Sequence, residues 1–334
     1  IRDPEMSRGL GDVYKRQTLA AIEKDELTGL YTRQAFYHHA RTFTHFMTEE
    51  KFNVVILDVA DFKLINGTYG TKKGNEVLVY LSNAFRYYVK NGLLTRYEGD
   101  QLLGLFHSKV KMDVERINRN INKIAEEAPI PNIRIKVGIY EDIDTSLSIP
   151  IICDRALMAE KSISKDFKTN VAFYTDEMNQ KQLAQRQMEN DFKSAIANRE
   201  FKVYYQPKYD VNTENIVGAE ALVRWQKPDG TLISPGAFIP LFESDGLVVH
   251  LDEYVFENVC QFQKERMENK LPMVPISVNL SRASIHFNDV VEHYVDIVNQ
   301  KQIPFECVPI ELTESTTLYS ETVSYTHLRA HETS

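Results

Sequence analysis

The chain has 334 residues, and roughly 150 residues per domain indicates two globular domains. Hydrophobic residues make up 43% of the sequence and charged residues 26%, which is ordinary for a soluble protein with a core. The formal net charge of −8 argues against non-specific binding to a nucleic acid polymer or an anionic membrane. The three cysteines show no CxxC spacing, which excludes a disulfide scaffold and a cysteine-based zinc site.

The two ends of the chain are expected to differ in origin from the rest. One DNA sequence, which resembles a transposase sequencing adapter, translates to residues 7–17 (SRGLGDVYKRQ). Its reverse complement translates to residues 323–333 (VSYTHLRAHET). We therefore expect residues 1–17 and 323–334 to be non-native and the natural sequence to be cut at both ends, with a pair of disordered polar tails as the alternative. No apolar run reaches the ~18 residues of a membrane span, which predicts a cytoplasmic protein and leaves attachment through an upstream segment open.

The first half of the chain alternates strand and helix patterns. Apolar, β-branched runs predict strands, and apolar residues at helical spacing predict helices. An Asp/Gly-containing turn between two apolar runs predicts a hairpin. In chain order we expect a strand at 53–60, a helix at 75–90, hairpin strands at 93–97 and 102–107, a helix at 114–125, a strand at 133–140 and a helix at 154–164.

The second half follows a stretch rich in Gln, Lys, Glu and Met, without Pro or Gly, that predicts an exposed linker helix at 176–197. The first domain is accordingly placed at 18–175 and the second at 198–322. Repeated strand–helix units in the second domain predict parallel βα construction, either a doubly wound sheet or a barrel. The predicted strands are 201–206, 217–225, 275–281 and 308–313, and the predicted helices are 235–244, 252–268 and 290–301.

Oxygen-bearing side chains stand near the ends of three of these strands. Glu220, Asn279 and Glu311 each interrupt an apolar strand, and Glu314 follows closely. Hard oxygen ligands from separate strands suit Mg²⁺ or Mn²⁺, although any one of these groups alone could be an ordinary solvent-facing polar residue. The planar guanidinium group of Arg224 is suited to bind phosphate. The alternative interpretation of Arg224 is a surface salt bridge.

Five segments of the second domain resemble the EAL family: FKVYYQP, GAEALVRW, FIPLFESDG, SVNLS and ELTES. The resemblance implies a (β/α)₈ TIM-type barrel that uses two Mg²⁺ or Mn²⁺ ions to hydrolyse cyclic di-GMP to linear pGpG. By position, the family's metal ligands correspond to Glu220, Asn279 and Glu311. Its contacts to the dinucleotide correspond to Gln206, Leu222 and Arg224, and its supporting carboxylates to Glu243 and Glu314.

The family pattern continues with an Asp-Asp-Phe-Gly segment, a Lys, a Glu base and a Gln, none of which precedes residue 323. About four of eight βα units are present. We therefore expect a truncated EAL domain with no complete catalytic set, inactive as this polypeptide, from a parent protein that is an active phosphodiesterase.

Three segments of the first domain, at 25–33, 58–74 and 96–106, resemble the diguanylate cyclase or GGDEF family, whose fold is a nucleotidyl-cyclase-like α+β sheet. By position, Asp58 and Asp100 correspond to metal ligands, Asn66 to a guanine contact and Lys161 to a phosphate contact. The signature is degenerate, because a side chain replaces the first glycine and a neutral amide replaces the second acid; it consists of Glu98, Gly99, Asp100, Gln101 and Leu102.

The resemblance therefore implies a domain without cyclase activity that regulates its neighbour, and GTP binding without turnover stays open. Members of both families commonly work as dimers, so a homodimer is expected. The leading hypothesis is a cyclic di-GMP phosphodiesterase. The alternative is a non-catalytic receptor for cyclic di-GMP or GTP.

Overall fold

The computed structural model describes residues 23–45, 51–107, 112–163, 169–285 and 290–312. Contacts divide the chain into two compact units between Lys181 and Gln182, inside the predicted linker helix. The terminal stretches attributed to the adapter, and Glu314, lie outside the described residues. Within the described ranges, no helix is long and apolar enough to cross a membrane.

The first unit is built on a six-stranded sheet with the strand order β1-β3-β4-β2-β5-β6. Its strands are β1 (Tyr31–Thr32), β2 (Phe52–Val59), β3 (Leu93–Glu98), β4 (Gln101–His107), β5 (Ile135–Tyr140) and β6 (Val171–Phe173). Strand β2 pairs antiparallel with β4 and β5 at the centre of the sheet. Because both faces of this strand are covered, its sequence is a near-continuous apolar run rather than an alternating one.

The helices of the first unit cover both faces of that sheet. They are α1 (Arg33–His45), α2 (Phe62–Tyr69), α3 (Thr71–Tyr88), α4 (Val114–Glu126) and α5 (Ile149–Lys161). Neighbouring residues of β4 enter different cores, since Leu102 packs with Val77 and Leu81 whereas Leu103 packs with Phe36 and Ile152. The period-two alternation of a strand thus produces two cores on opposite faces.

Helix α5 begins earlier than the sequence pattern predicts, at Ile149 rather than at residue 154. Ser148 is the extended N-cap residue, and Pro150 lies in the first turn. A proline is tolerated there because the first turn of a helix has no intrahelical acceptor for its missing N–H. The apolar run before residue 154 is therefore helical.

The second unit contains one five-stranded sheet in which β11-β10-β8-β7 are neighbours and β9 pairs with β8. The strands are β7 (Phe201–Tyr209), β8 (Ile216–Gln226), β9 (Leu232–Ile233), β10 (Ile276–Leu280) and β11 (Ile310–Leu312). Strands β8, β10 and β11 are parallel, as predicted. The described strands form an open sheet rather than a closed barrel.

The parallel βα construction predicted for this unit does not extend to its first strand. Strand β7 runs to Tyr209 and pairs antiparallel with β8. The connection is a tight turn in which the Asp210 side chain accepts hydrogen bonds from the backbone N–H groups of Asn212 and Thr213. Such an Asx turn is a local signal in the sequence DVNTE that favours a hairpin over a helical crossover.

The helices of this unit are α6 (Asp176–Ala197), α7 (Pro235–Ser244), α8 (Val248–Glu268), α9 (Arg282–Ile285) and α10 (Val290–Lys301), with a short 3₁₀ turn at Phe305–Cys307. Helix α6 has the bounds predicted for the linker helix. Its last turns do not lie in solvent, because Phe192 and Ala195 are buried in the core with Phe201 and Trp225. The second half of α6 is therefore part of the second unit.

Candidate functional site

One face of the second sheet carries a set of polar side chains. In the strand register, Gln206 pairs with Glu220, Glu220 with Ser277, and Asn279 with Glu311. Paired residues and residues two apart project from the same face of a sheet. These five side chains therefore share one face, while the alternate residues of β8 and β10 enter the buried core.

Two of the predicted metal ligands are in direct contact. Asn279 Nδ2 donates a hydrogen bond of 2.7 Å to Glu220 Oε1. Glu311 lies beside Asn279 on the next strand, so the three side chains predicted to act together are neighbours. Gln206 lies on the far side of Glu220.

Lys208, which the sequence analysis did not single out, also belongs to this face. Its Nζ donates to Glu311 Oε1 at 2.6 Å and to Ser277 Oγ at 2.9 Å. The hydrogen bond from Lys208 is the main reason why the pKa of Glu311 lies below its ordinary value. The available signal was the strand period, since Lys208 stands two residues after Gln206 on β7. This ion pair joins the first and last strands of the β11-β10-β8-β7 order.

The donor set fits a divalent cation. Two carboxylates and one amide provide the hard oxygen atoms that Mg²⁺ and Mn²⁺ prefer. The Lys208 ammonium contacts Glu311, so it would compete with a cation for this carboxylate.

A cavity of about 130 Å³ lies at the carboxyl end of β8. Leu222 and Arg224, predicted to contact a dinucleotide, line it together with Glu243 from α7 and Asn279 from β10. Gln206 and Glu311 are not among its lining residues. One predicted metal ligand, Asn279, and the predicted phosphate-binding residue Arg224 therefore line the same cavity.

Asp252 on α8 also lines the cavity, and no sequence motif pointed to it. Its Oδ2 accepts hydrogen bonds from the backbone N–H of Ser281 at 2.9 Å and from Ser284 Oγ at 2.7 Å. Burial raises the pKa of this carboxyl group, and the two serines act in the opposite direction. Asp252 thus fixes the segment that directly follows Asn279.

The first unit brings its two predicted metal ligands together. Asp58 is near the end of β2, and Asp100 is in the β3–β4 turn. Burial first, and then the Asp58 carboxylate, raise the pKa of Asp100. Asn66 packs so close to Gly74 that a Cβ there would lie 2.0 Å from Asn66 Oδ1. Lys161 is exposed at the end of α5.

The degenerate signature forms a hairpin turn, with a shift of register between Arg96 and Glu98. Gly99 has φ +56°, a left-handed conformation that favours glycine, and Glu98 pairs with Gln101 across the turn. The exposed Glu98 side chain lies 3.7 Å from the guanidinium of Arg33. These residues therefore form a hairpin turn although the signature lacks one glycine and one acid.

Comparison with family models matches residues 22–163 to "Diguanylate cyclase, GGDEF domain" and residues 189–333 to "EAL domain". The chain belongs to the proteins that carry a GGDEF domain followed by an EAL domain. This agrees with both resemblances drawn from the sequence motifs.

Among its relatives, the bifunctional diguanylate cyclase/cyclic di-GMP phosphodiesterase MucR of Pseudomonas aeruginosa is 26% identical over 280 residues, which is 81% of this chain and 40% of MucR. The cyclic di-GMP phosphodiesterase PdeR of Escherichia coli is 26% identical over 304 residues, 87% of this chain and 45% of PdeR. The chain thus spans less than half the length of either relative.

A solved structure of Vibrio cholerae LapD, comprising its S helix, GGDEF and EAL parts bound to c-di-GMP, aligns with a TM-score of 0.51 at 18% identity. It covers 96% of this chain and 76% of that one. This likeness shows the tandem fold.

Proposed function

We propose that the chain is the GGDEF–EAL part of a cyclic di-GMP signalling protein, and that the EAL domain of the parent protein is a phosphodiesterase producing linear pGpG, whereas this truncated polypeptide is inactive. The observation that carries the proposal is the shared sheet face of Glu220, Asn279 and Glu311 beside a cavity lined by Arg224. The names of MucR and PdeR support the same substrate.

Each side chain of this site has a role in the proposal. Glu220, Asn279 and Glu311 would hold divalent metal, which when bound polarises the phosphodiester and lowers the pKa of the attacking water. The hydrogen bond from Asn279 fixes the Glu220 carboxylate in one orientation. Residues that orient ligand side chains typically affect metal affinity 10–100-fold.

The substrate side of the cavity would bind and orient the dinucleotide. The Arg224 guanidinium would bind a phosphate through two parallel hydrogen bonds, while Leu222 packs against the base or sugar. Glu243 would support the site as a carboxylate in the cavity wall. Gln206 would contact the dinucleotide on the other side of Glu220. The identity of the ions as Mg²⁺ or Mn²⁺ is part of this proposal.

The GGDEF unit would be a regulator without cyclase activity. Gln101 cannot act as a base or bring negative charge to a metal site, so the signature lacks one acid of a two-metal phosphoryl-transfer centre. GTP binding at Asn66 and Lys161, and a homodimer, are further parts of the proposal.

The test is the conversion of cyclic di-GMP to pGpG, followed by chromatography with Mg²⁺ or Mn²⁺ present. It is run on this chain and on the gene product with its natural ends. This chain should not hydrolyse cyclic di-GMP. In the gene product with its natural ends, Glu220→Gln should abolish hydrolysis, Arg224→Ala should weaken binding, and the surface variant Lys123→Met should match the unmodified protein. Tight binding without hydrolysis in both preparations would favour the receptor, and no binding in either would overturn both functions.

A further inference from the structure

One member of the acid pair of the first unit, Asp58, has a lysine directly opposite it. In the antiparallel pairing of β2 and β5, Asp58 and Lys136 are register partners. Side chains of directly paired residues project from the same face, with Cβ atoms about 4.5–5.5 Å apart. Lys136 therefore belongs to the surroundings of Asp58, although the two residues are far apart in sequence.

A buried glutamate completes the group. Glu160 on α5 is 3% exposed, and its Oε1 lies 3.4 Å from Lys136 Nζ. Gly138 makes this contact possible, because a Cβ there would lie 2.2 Å from the backbone oxygen of Ala156 and 2.4 Å from the nitrogen of Glu160. The missing side chain lets α5 approach β5 until Glu160 meets Lys136.

The carboxylates of this group act on one another. Burial and then Asp58 raise the pKa of Glu160, while Lys136 and Lys161 act in the opposite direction. Asp58 also raises the pKa of Asp100. Arg96, which lowers the pKa of Asp100, is itself bound to Asp25 at 3.2 Å.

These contacts do not fit a divalent ion held by Asp58 and Asp100. A fixed ammonium on the same sheet face repels a dication, and in the partly buried surroundings solvent screens that repulsion weakly.

We propose that Lys136 is a built-in counter-ion of the first unit, whose ammonium takes the place of a bound divalent cation beside Asp58 and Glu160. The acid group is then balanced without metal, and its affinity for divalent cations is low. Any nucleotide in this unit would be bound without an ion held by Asp58. This inference concerns the first unit alone and does not depend on phosphodiesterase activity in the second.

The test uses the full, metal-stripped chain titrated with Mn²⁺, with the free ion followed by electron paramagnetic resonance. Lys136→Met should add one Mn²⁺ per chain or tighten a site by at least about tenfold, because a like charge has been removed. Adding Asp58→Asn to that variant should abolish the gain, which separates this site from any Mn²⁺ bound by the EAL unit. Lys123→Met, a charge-matched change on exposed α4, should bind as the unmodified chain does.

Lys136→Met leaves Glu160 buried without its partner, so folding is checked by circular dichroism. If that variant unfolds, Lys136→Gln removes the positive charge but keeps an amide that can donate a hydrogen bond to Glu160, and it should bind Mn²⁺ at least about tenfold more tightly than the unmodified chain. The proposal is overturned if the folded variant shows no gain. It is also overturned if Asp58→Asn alone removes a Mn²⁺ site from the unmodified chain.

Discussion

Asn279 and Glu220, on adjacent parallel strands, are joined by a hydrogen bond of 2.7 Å from Nδ2 to Oε1. One proposed ligand thus orients another before any ion is bound. Because the Asn279 amide nitrogen donates to the Glu220 carboxylate, the Asn279 Oδ1 atom is left to bind a cation.

Replacing Asn279 by Asp should therefore be severe despite the similar shape. The new carboxylate cannot donate to Glu220 and repels it, so we expect hydrolysis by the protein with its natural ends to fall by roughly 10²-fold with weaker metal affinity. Metal-dependent hydrolysis and Mn²⁺ binding measure the two effects. Unchanged hydrolysis at saturating and at limiting metal would show that this hydrogen bond has no role.

Lys208→Met should slightly destabilise the metal-free protein and raise the affinity of the site for a divalent cation. The Lys208–Glu311 pair is more than a third exposed on each side, so its loss should reduce the free energy of unfolding by less than about 1 kcal/mol. The Glu311 pKa is depressed in the folded state, so this stabilisation is present above the ordinary value of 4.5 and is lost as pH falls through the folded value. Urea unfolding in EDTA at several pH values tests this.

With EDTA replaced by Mn²⁺, the same variant should bind the ion more tightly, because Glu311 no longer has a competing ammonium. The matched control is Lys264→Met, which removes a helical surface lysine. Weaker Mn²⁺ binding in Lys208→Met would mean that the lysine supports the ion site instead of competing with it.

Asp252 should make the second unit more stable at lower pH. Its pKa is raised above 3.8, so the folded state holds a proton more firmly than the unfolded chain does. Stability should consequently decline as pH rises from about 3.8 through the folded pKa, and this decline should vanish in Asp252→Asn. Asp252→Leu, which loses both serine contacts, should lower the free energy of unfolding by about 2–4 kcal/mol.

Trp225 provides the probe for those measurements, since it is the only tryptophan in the chain and is fully buried in the second unit. Its Nε1 donates to Glu200 Oε2 at 3.0 Å. Trp225→Phe should lower the free energy of unfolding by about 1–3 kcal/mol, because Glu200 then lacks its donor. Far-ultraviolet circular dichroism monitors unfolding in that variant, and Glu200→Gln, which keeps an acceptor, should be milder.

The GGDEF unit should produce no cyclic di-GMP from GTP and Mg²⁺. An active diguanylate cyclase assayed in parallel gives the positive control. Clear turnover by purified protein free of other cyclases would show that Gln101 does not prevent catalysis.

The sequence predicted most elements because their signals are local. Helix α6 was predicted with its observed bounds from composition alone, and the GGDEF hairpin from one turn. The start of α5 was missed because Pro150 was not recognised as a first-turn residue. The β7–β8 pairing was missed because the Asx turn at Asp210 was overlooked.

The candidate site was less predictable where it depends on distant contacts. Lys208 meets Glu311 across 103 positions, and Lys136 meets Glu160 across 24. No local spacing encodes such pairs. The register of the strands and, for Glu160, the absent side chain of Gly138 bring them together.

The reach of Lys208 has a consequence for the form of the site. In a flat sheet, β7 and β11 would be separated by roughly 14 Å, or three interstrand spacings of about 4.8 Å. A 2.6 Å ion pair between their side chains means that the sheet curls toward its polar face. A ligand on this face would be bordered by side chains of both outer strands. Its size, as well as its charge, would therefore determine whether it could bind.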